Sequence, residues 1–171
     1  MNTRERGTTR RILVPITPAA FADYALAATS AARIARKTGG ILRLAYLAPL
    51  PSPRVDRHDR VIADTDREMA RIGGTAQARL DALAASLEGV PVETVIRFGR
   101  PAVELSIEAE AFGADLIALA APLHSRIWER VRAWQLRRAA LASKVPLILL
   151  PLPAAGTGAR PGGAVAVPAL R

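Results

Sequence analysis

Five short apolar runs, separated by longer stretches of helical period, constrain this chain more than any other feature of its sequence. The runs are Arg11 to Ile16, Ile41 to Leu47, Val92 to Phe98, Leu116 to Ala120 and Pro146 to Leu150. Several are apolar at consecutive positions, as strands are when both faces of their sheet are covered. Strands that alternate with helical stretches predict an α/β three-layer sandwich around a mostly parallel five-stranded sheet. At 171 residues the chain has room for one such domain and its core, and not for a second. Half of the residues are hydrophobic but only 4% are aromatic, so the core must be built from Ala, Leu, Ile and Val.

The first helix is expected after Thr17-Pro18, with the threonine hydroxyl capping free N–H groups and the proline in the first turn, where its missing N–H costs nothing. Phe21, Ala25, Ala28, Ala32 and Ala35 mark its apolar face, and Gly39-Gly40 ends it. A long helix follows the Pro- and charge-rich connection Pro49 to Asp59, with Met69, Ile72, Ala76, Leu80, Leu83 and Leu87 spaced by three and four. Gly73-Gly74 lies inside it. Each glycine costs about 1 kcal/mol relative to alanine in a helix interior, so a kink or break is expected there. A third helix runs from Pro101 to near Gly113, and a fourth over much of Ser125 to Ala142.

Composition narrows the function. The chain has no cysteine, which excludes a disulfide framework, a thiol nucleophile and a cysteine metal site, and the cytoplasm is the expected compartment. No apolar run reaches the roughly 20 residues a bilayer span needs. The net charge of +9 is concentrated in three places: residues 1–11, residues 123–144 and the tail from Ala154. The expected layout is a flexible basic arm over residues 1–10, the folded domain over 11–153 and a disordered Ala/Gly/Pro-rich tail over 154–171. With the body electrically balanced, and without a recognition-helix motif or an aromatic stacking strand, specific nucleic-acid binding is not expected.

Candidate chemistry is sparse. His58 and His124 stand far apart with no Asp, Glu or Cys at metal spacing, so no metal site is expected. Ser125 beside His124 has no third orienting acid and reads as a helix cap. Glu104, Glu108 and Glu110 read as the solvated surface of the third helix, and Asp115 as a residue that orders the turn after Gly113. The segment holding His124, Ser125, Arg126, Trp128, Arg130, Arg132, Trp134, Arg137 and Arg138 leaves three readings open: an amphipathic helix with solvated arginines, an arginine-lined anion site using Arg126, Arg130 and Arg132, or a protein-contact surface anchored by Trp128.

Taken in order, several segments resemble the universal stress protein family over residues 11 to about 151. They are Arg11-Ile-Leu-Val-Pro-Ile-Thr17, Ala35-Arg-Lys-Thr-Gly-Gly-Ile-Leu-Arg-Leu44, the stretch from Phe98-Gly-Arg-Pro101 to Gly113-Ala-Asp-Leu-Ile117, and Ser143-Lys-Val-Pro-Leu-Ile-Leu-Leu150. The resemblance implies a Rossmann-like fold of the adenine nucleotide alpha hydrolase type. Its parallel sheet would have the order 3-2-1-4-5, with a ligand crevice at the C-terminal ends of strands one and four. It also implies an acidic residue after strand one and a glycine-rich phosphate loop after strand four. Laid on this chain, those positions fall on Thr17, Ala120, Leu123, Ala133 and Trp134, and all five depart from the pattern. Bulk then stands where phosphate oxygens would approach bare backbone, so ATP is not expected to be held in the family's usual manner. The expectation is a non-catalytic stress-response module without a cofactor. Its alternative role is to bind a nucleotide or other phosphorylated ligand through the arginines. A homodimer is expected through the last strand, Pro146 to Leu150, and a protein partner fits the same reading.

Overall fold

In the computed structural model, which describes residues 11–55, 61–121 and 145–151, the first apolar run forms strand β1 (Arg11–Ile16) at the middle of the sheet. A 3-10 turn (Pro18–Ala20) leads into helix α1 (Phe21–Thr38), followed by β2 (Ile41–Ala48), a two-stranded hairpin of β3 (Arg54–Val55) and β4 (Val61–Ala63), and α2 (Thr65–Ser86). The chain then forms β5 (Val92–Phe98), α3 (Pro101–Phe112), β6 (Leu116–Ala121) and β7 (Leu147–Pro151). The main sheet has the order β5-β2-β1-β6-β7 and every pairing in it is parallel. Counting its strands along the chain, this is the expected order 3-2-1-4-5. The antiparallel hairpin β3–β4 was not expected, because two- and three-residue strands carry no readable period. The expected fourth helix, basic arm and tail lie outside the described residues.

Parallel register places partners on one face of the sheet, so the helices can be assigned to layers. Gln77 of α2 donates to Thr94 (3.1 Å), and Arg43 and Arg97 reach Glu108 of α3. Even-numbered residues of β2 and β5 therefore face α2 and odd-numbered ones face α3. Right-handed crossovers put α1 on the α2 side, since both connections move toward β5. Residues Ile12 to Ile16 are all buried between the layers, and only Arg11 at the start of β1 is exposed.

Three local expectations need correction. The Thr17 hydroxyl makes no capping bond, and the 3-10 turn separates it from α1. The buried stripe of α1 is Tyr24, Ala27, Ala28, Ala31, Ala32 and Ala35, with Phe21 and Ala25 only half-buried, so the helix is rotated relative to the sequence pattern. Alanine at most of these places lets the helix axis approach the sheet closely. Finally, α2 runs unbroken through Gly73-Gly74. An added Cβ at Gly73 would lie 3.9 Å from the Phe98 ring, so this glycine sits against β5, and packing on the sheet outweighs its weak helix propensity. The start of α2 is capped by Asp64, which accepts from the Arg67 N–H at 2.9 Å.

Candidate functional site

The ladder between β1 and β6 spans only two residue pairs, Ile12–Leu116 and Leu13–Ile117, whereas β1 pairs with β2 along all six of its residues. Proline explains the early end. Arg11 donates its N–H to Asp115 (3.0 Å) and accepts from the Asp115 N–H (2.9 Å), so its backbone groups point toward β6. By the two-residue period of a strand, Pro15 presents its nitrogen to the same side and has no hydrogen to offer. The sheet thus parts beyond Leu13, at the point where connections leave β1 in one direction and reach β6 from the other. This is the crevice expected of an open parallel sheet. Asp115 orders the start of β6, as its sequence position suggested.

Thr17 follows β1 directly and is 8% exposed, with extended backbone at φ −108° and ψ 149°. Ala120, near the end of β6 and opposite Leu150 of β7, is also buried. The structure therefore brings Thr17 and Ala120 to the C-terminal edge of two neighbouring strands. Leu123, Ala133 and Trp134, the arginines Arg126, Arg130 and Arg132, and both histidines lie outside the described residues.

A second group gathers at the start of α1 on the other face. Tyr46 stands opposite Ile16 in the β1–β2 register and is buried. Burial raises its phenol pKa above the usual value, and the Arg79 guanidinium pulls in the opposite direction. Arg79 itself lies over the Phe21 ring, 3.8 Å from its centroid. One turn along α1, burial pushes the Tyr24 phenol up to about 12, with the neighbouring Asp23 charge adding to it.

The carboxylates of α3 are the largest departure from expectation. Glu108 is not solvated surface: it is 1% exposed and lies between Arg43 of β2 (2.6 Å) and Arg97 of β5 (2.5 Å). Arg43 also pairs with Glu93 (2.5 Å), and Arg97 reaches Glu104 at 3.6 Å. Burial alone would lower the Arg43 pKa, but Glu108 and Glu93 together carry it above its usual value. The Phe112 ring completes the cluster, with the guanidinium carbons of Arg43 and Arg11 at 4.2 and 4.6 Å from its centroid. Glu110 alone remains exposed, as expected. A signal was present in the sequence: Arg43, Glu93 and Arg97 are charged residues inside strands that must be covered on both faces, which requires a partner from the covering helix. With Arg11 counted, the cluster holds three arginines and three glutamates, and it joins α3 to β2 and β5 as a structural clamp.

Among the described residues no helix is long and apolar enough to cross a membrane. The sequence pattern of the universal stress protein family matches residues 8–151. The chain belongs to the universal stress protein family. Solved members share its fold at low identity. A universal stress protein from Burkholderia pseudomallei superimposes with a TM-score of 0.63 at 17% identity, covering 84% of this chain and 97% of that one. One from Lactobacillus plantarum gives 0.61 at 21% identity, covering 84% and 99%. A universal stress protein in complex with cAMP gives 0.56 at 14% identity, covering 84% and 98%. No curated protein matches the chain.

Proposed function

We propose that this universal stress protein is a non-catalytic cytoplasmic module that does not hold ATP in the family's usual manner. It acts through protein contacts or by sensing another ligand. The observation that carries the reading is Thr17: a buried, uncharged side chain follows β1 at the mouth of the crevice, where nucleotide-binding members place an acidic residue. Ala120 supports it, since a methyl group stands at the first glycine position of the phosphate loop. Leu123, Ala133 and Trp134 extend the same argument in sequence, because each adds volume where that loop needs bare backbone.

A second reading is favoured by the cAMP complex among the solved relatives. On that reading a nucleotide or other phosphorylated ligand is held by Arg126, Arg130 and Arg132. Homodimerisation fits either reading, because β7 is an edge strand among the described residues and its Leu149 is 44% exposed. Thermal denaturation with ATP, AMP and cAMP separates the two. The first reading expects no stabilisation by ATP. A rise in melting temperature that Arg126→Ala abolishes would replace it with the second.

A further inference from the structure

Helix α3 is apolar on two sides. Leu105, Ala109 and Phe112 are buried on the side that packs on β1, β2 and β5. On the outer side Val103 and Ile107 are each 45% exposed. At about 100° per residue these two and Glu110 fall within about 60° of one another, opposite Leu105 and Phe112. Exposed aliphatic residues scattered singly are ordinary on a protein surface, but two stacked one turn apart in the middle of a helix form a stripe that calls for a cover.

The charges at the ends of the stripe indicate what covers it. Arg100 is the N-cap of α3 and its side chain makes no capping bond, while Glu110 lies near the other end of the helix. Both are exposed, and neither forms an ion pair among the described residues. Ten residues of helix hold them about 15 Å apart, so they cannot pair within one chain. Each also stands at the unfavourable end of its own helix, the cation at the positive end of the dipole and the anion near the negative end. A second α3 laid antiparallel reverses both effects. With a twofold axis at Leu105, Arg100 meets Glu110 of the second copy beside the negative end of that helix, and Val103 meets Ile107 of the second copy. Both pairs are centred on Leu105 in sequence, so a single rotation satisfies the apolar and the charged contacts together, as an isologous interface requires.

From this self-complementarity we infer that α3 is a self-association surface, on which a second copy of the chain packs its own α3 antiparallel across Val103 and Ile107. The contact goes beyond the reading of the crevice given above and is separate from the β7 edge. A 12-residue helix is about 18 Å long, so the interface is small and the association weak.

The chain has no cysteine, so disulfide trapping reads the contact directly. Val103→Cys and Ile107→Cys, both exposed changes, are purified separately and mixed under mild oxidation. The mixed disulfide dimer is expected in excess over either self-linked dimer, because the antiparallel arrangement sets position 103 opposite position 107. In sedimentation velocity over a concentration series, Arg100→Glu or Glu110→Arg alone sets like charges across the contact and should raise the dissociation constant about tenfold. Combining the two reversals restores opposite charges and should return the parent value. All four positions are exposed, so the melting temperature should stay near that of the parent. Absence of a trapped dimer, or equal yields of mixed and self-linked dimers, overturns the surface. So does an association that the charge reversals leave unchanged, which would assign it to β7 instead. No nucleotide enters either measurement, so failure here is distinct from any failure of the reading about ATP.

Discussion

Replacing Glu108 by glutamine tests whether the α3 clamp stabilises the fold. The change keeps the volume of the side chain and removes its charge, leaving Arg43 and Arg97 facing an amide in a site that is 1% exposed. Breaking a buried ion pair from one side typically costs about 3–5 kcal/mol. Here each arginine keeps a second carboxylate, Glu93 or Glu104, and their side chains are 23% and 29% exposed, which favours the low end of that range. The expected loss is about 3 kcal/mol, a drop of roughly 6–12 °C in melting temperature for a domain of this size. Urea unfolding should show the midpoint falling with the slope unchanged. A double-mutant cycle with Arg43→Met should return a coupling of at least about 1 kcal/mol, because the two side chains are in contact. A Glu108→Gln protein within about 0.5 kcal/mol of the parent would refute the reasoning, since it would mean that the arginines are served by solvent and their outer partners alone.

Two further outcomes follow from local geometry. Gly113 ends α3 at φ 61°, with nothing within 4 Å of an added Cβ, so Gly113→Ala should cost about 1 kcal/mol from backbone strain alone, read as a lower urea midpoint. Tyr24 has its pKa raised to about 12 in the fold against 10.0 for the free side chain, so the unfolded chain loses this proton first as pH rises. Stability should therefore hold below about pH 10 and fall between about 10 and 12 by up to roughly 1.4 kcal/mol per pH unit from this group. Tyr24→Phe should flatten that fall, and an equal fall in parent and variant would show that Tyr24 does not cause it.

The sequence by itself determined the sheet, because five apolar runs at this spacing can be buried only as covered parallel strands, and glycine at Gly39 and Gly113 marks helix ends through backbone freedom that needs no tertiary partner. The family resemblance implied that Thr17 and Ala120 stand at the crevice, and the observed strand order brings both to the C-terminal ends of β1 and β6. Other features were decided only in three dimensions. Glu104 and Glu108 share a helix face in any sequence reading, but whether that face meets water depends on Arg43 and Arg97, which lie 65 and 11 residues from Glu108 along the chain. The unbroken α2 depends in the same way on β5 packing against Gly73, and the group of Phe21, Tyr46 and Arg79 on α1, β2 and α2 meeting at one end of the sheet. Periodicity reports the solvent preference of a side chain, whereas the fate of a charge or a hydroxyl depends on the partner that tertiary contact brings to it.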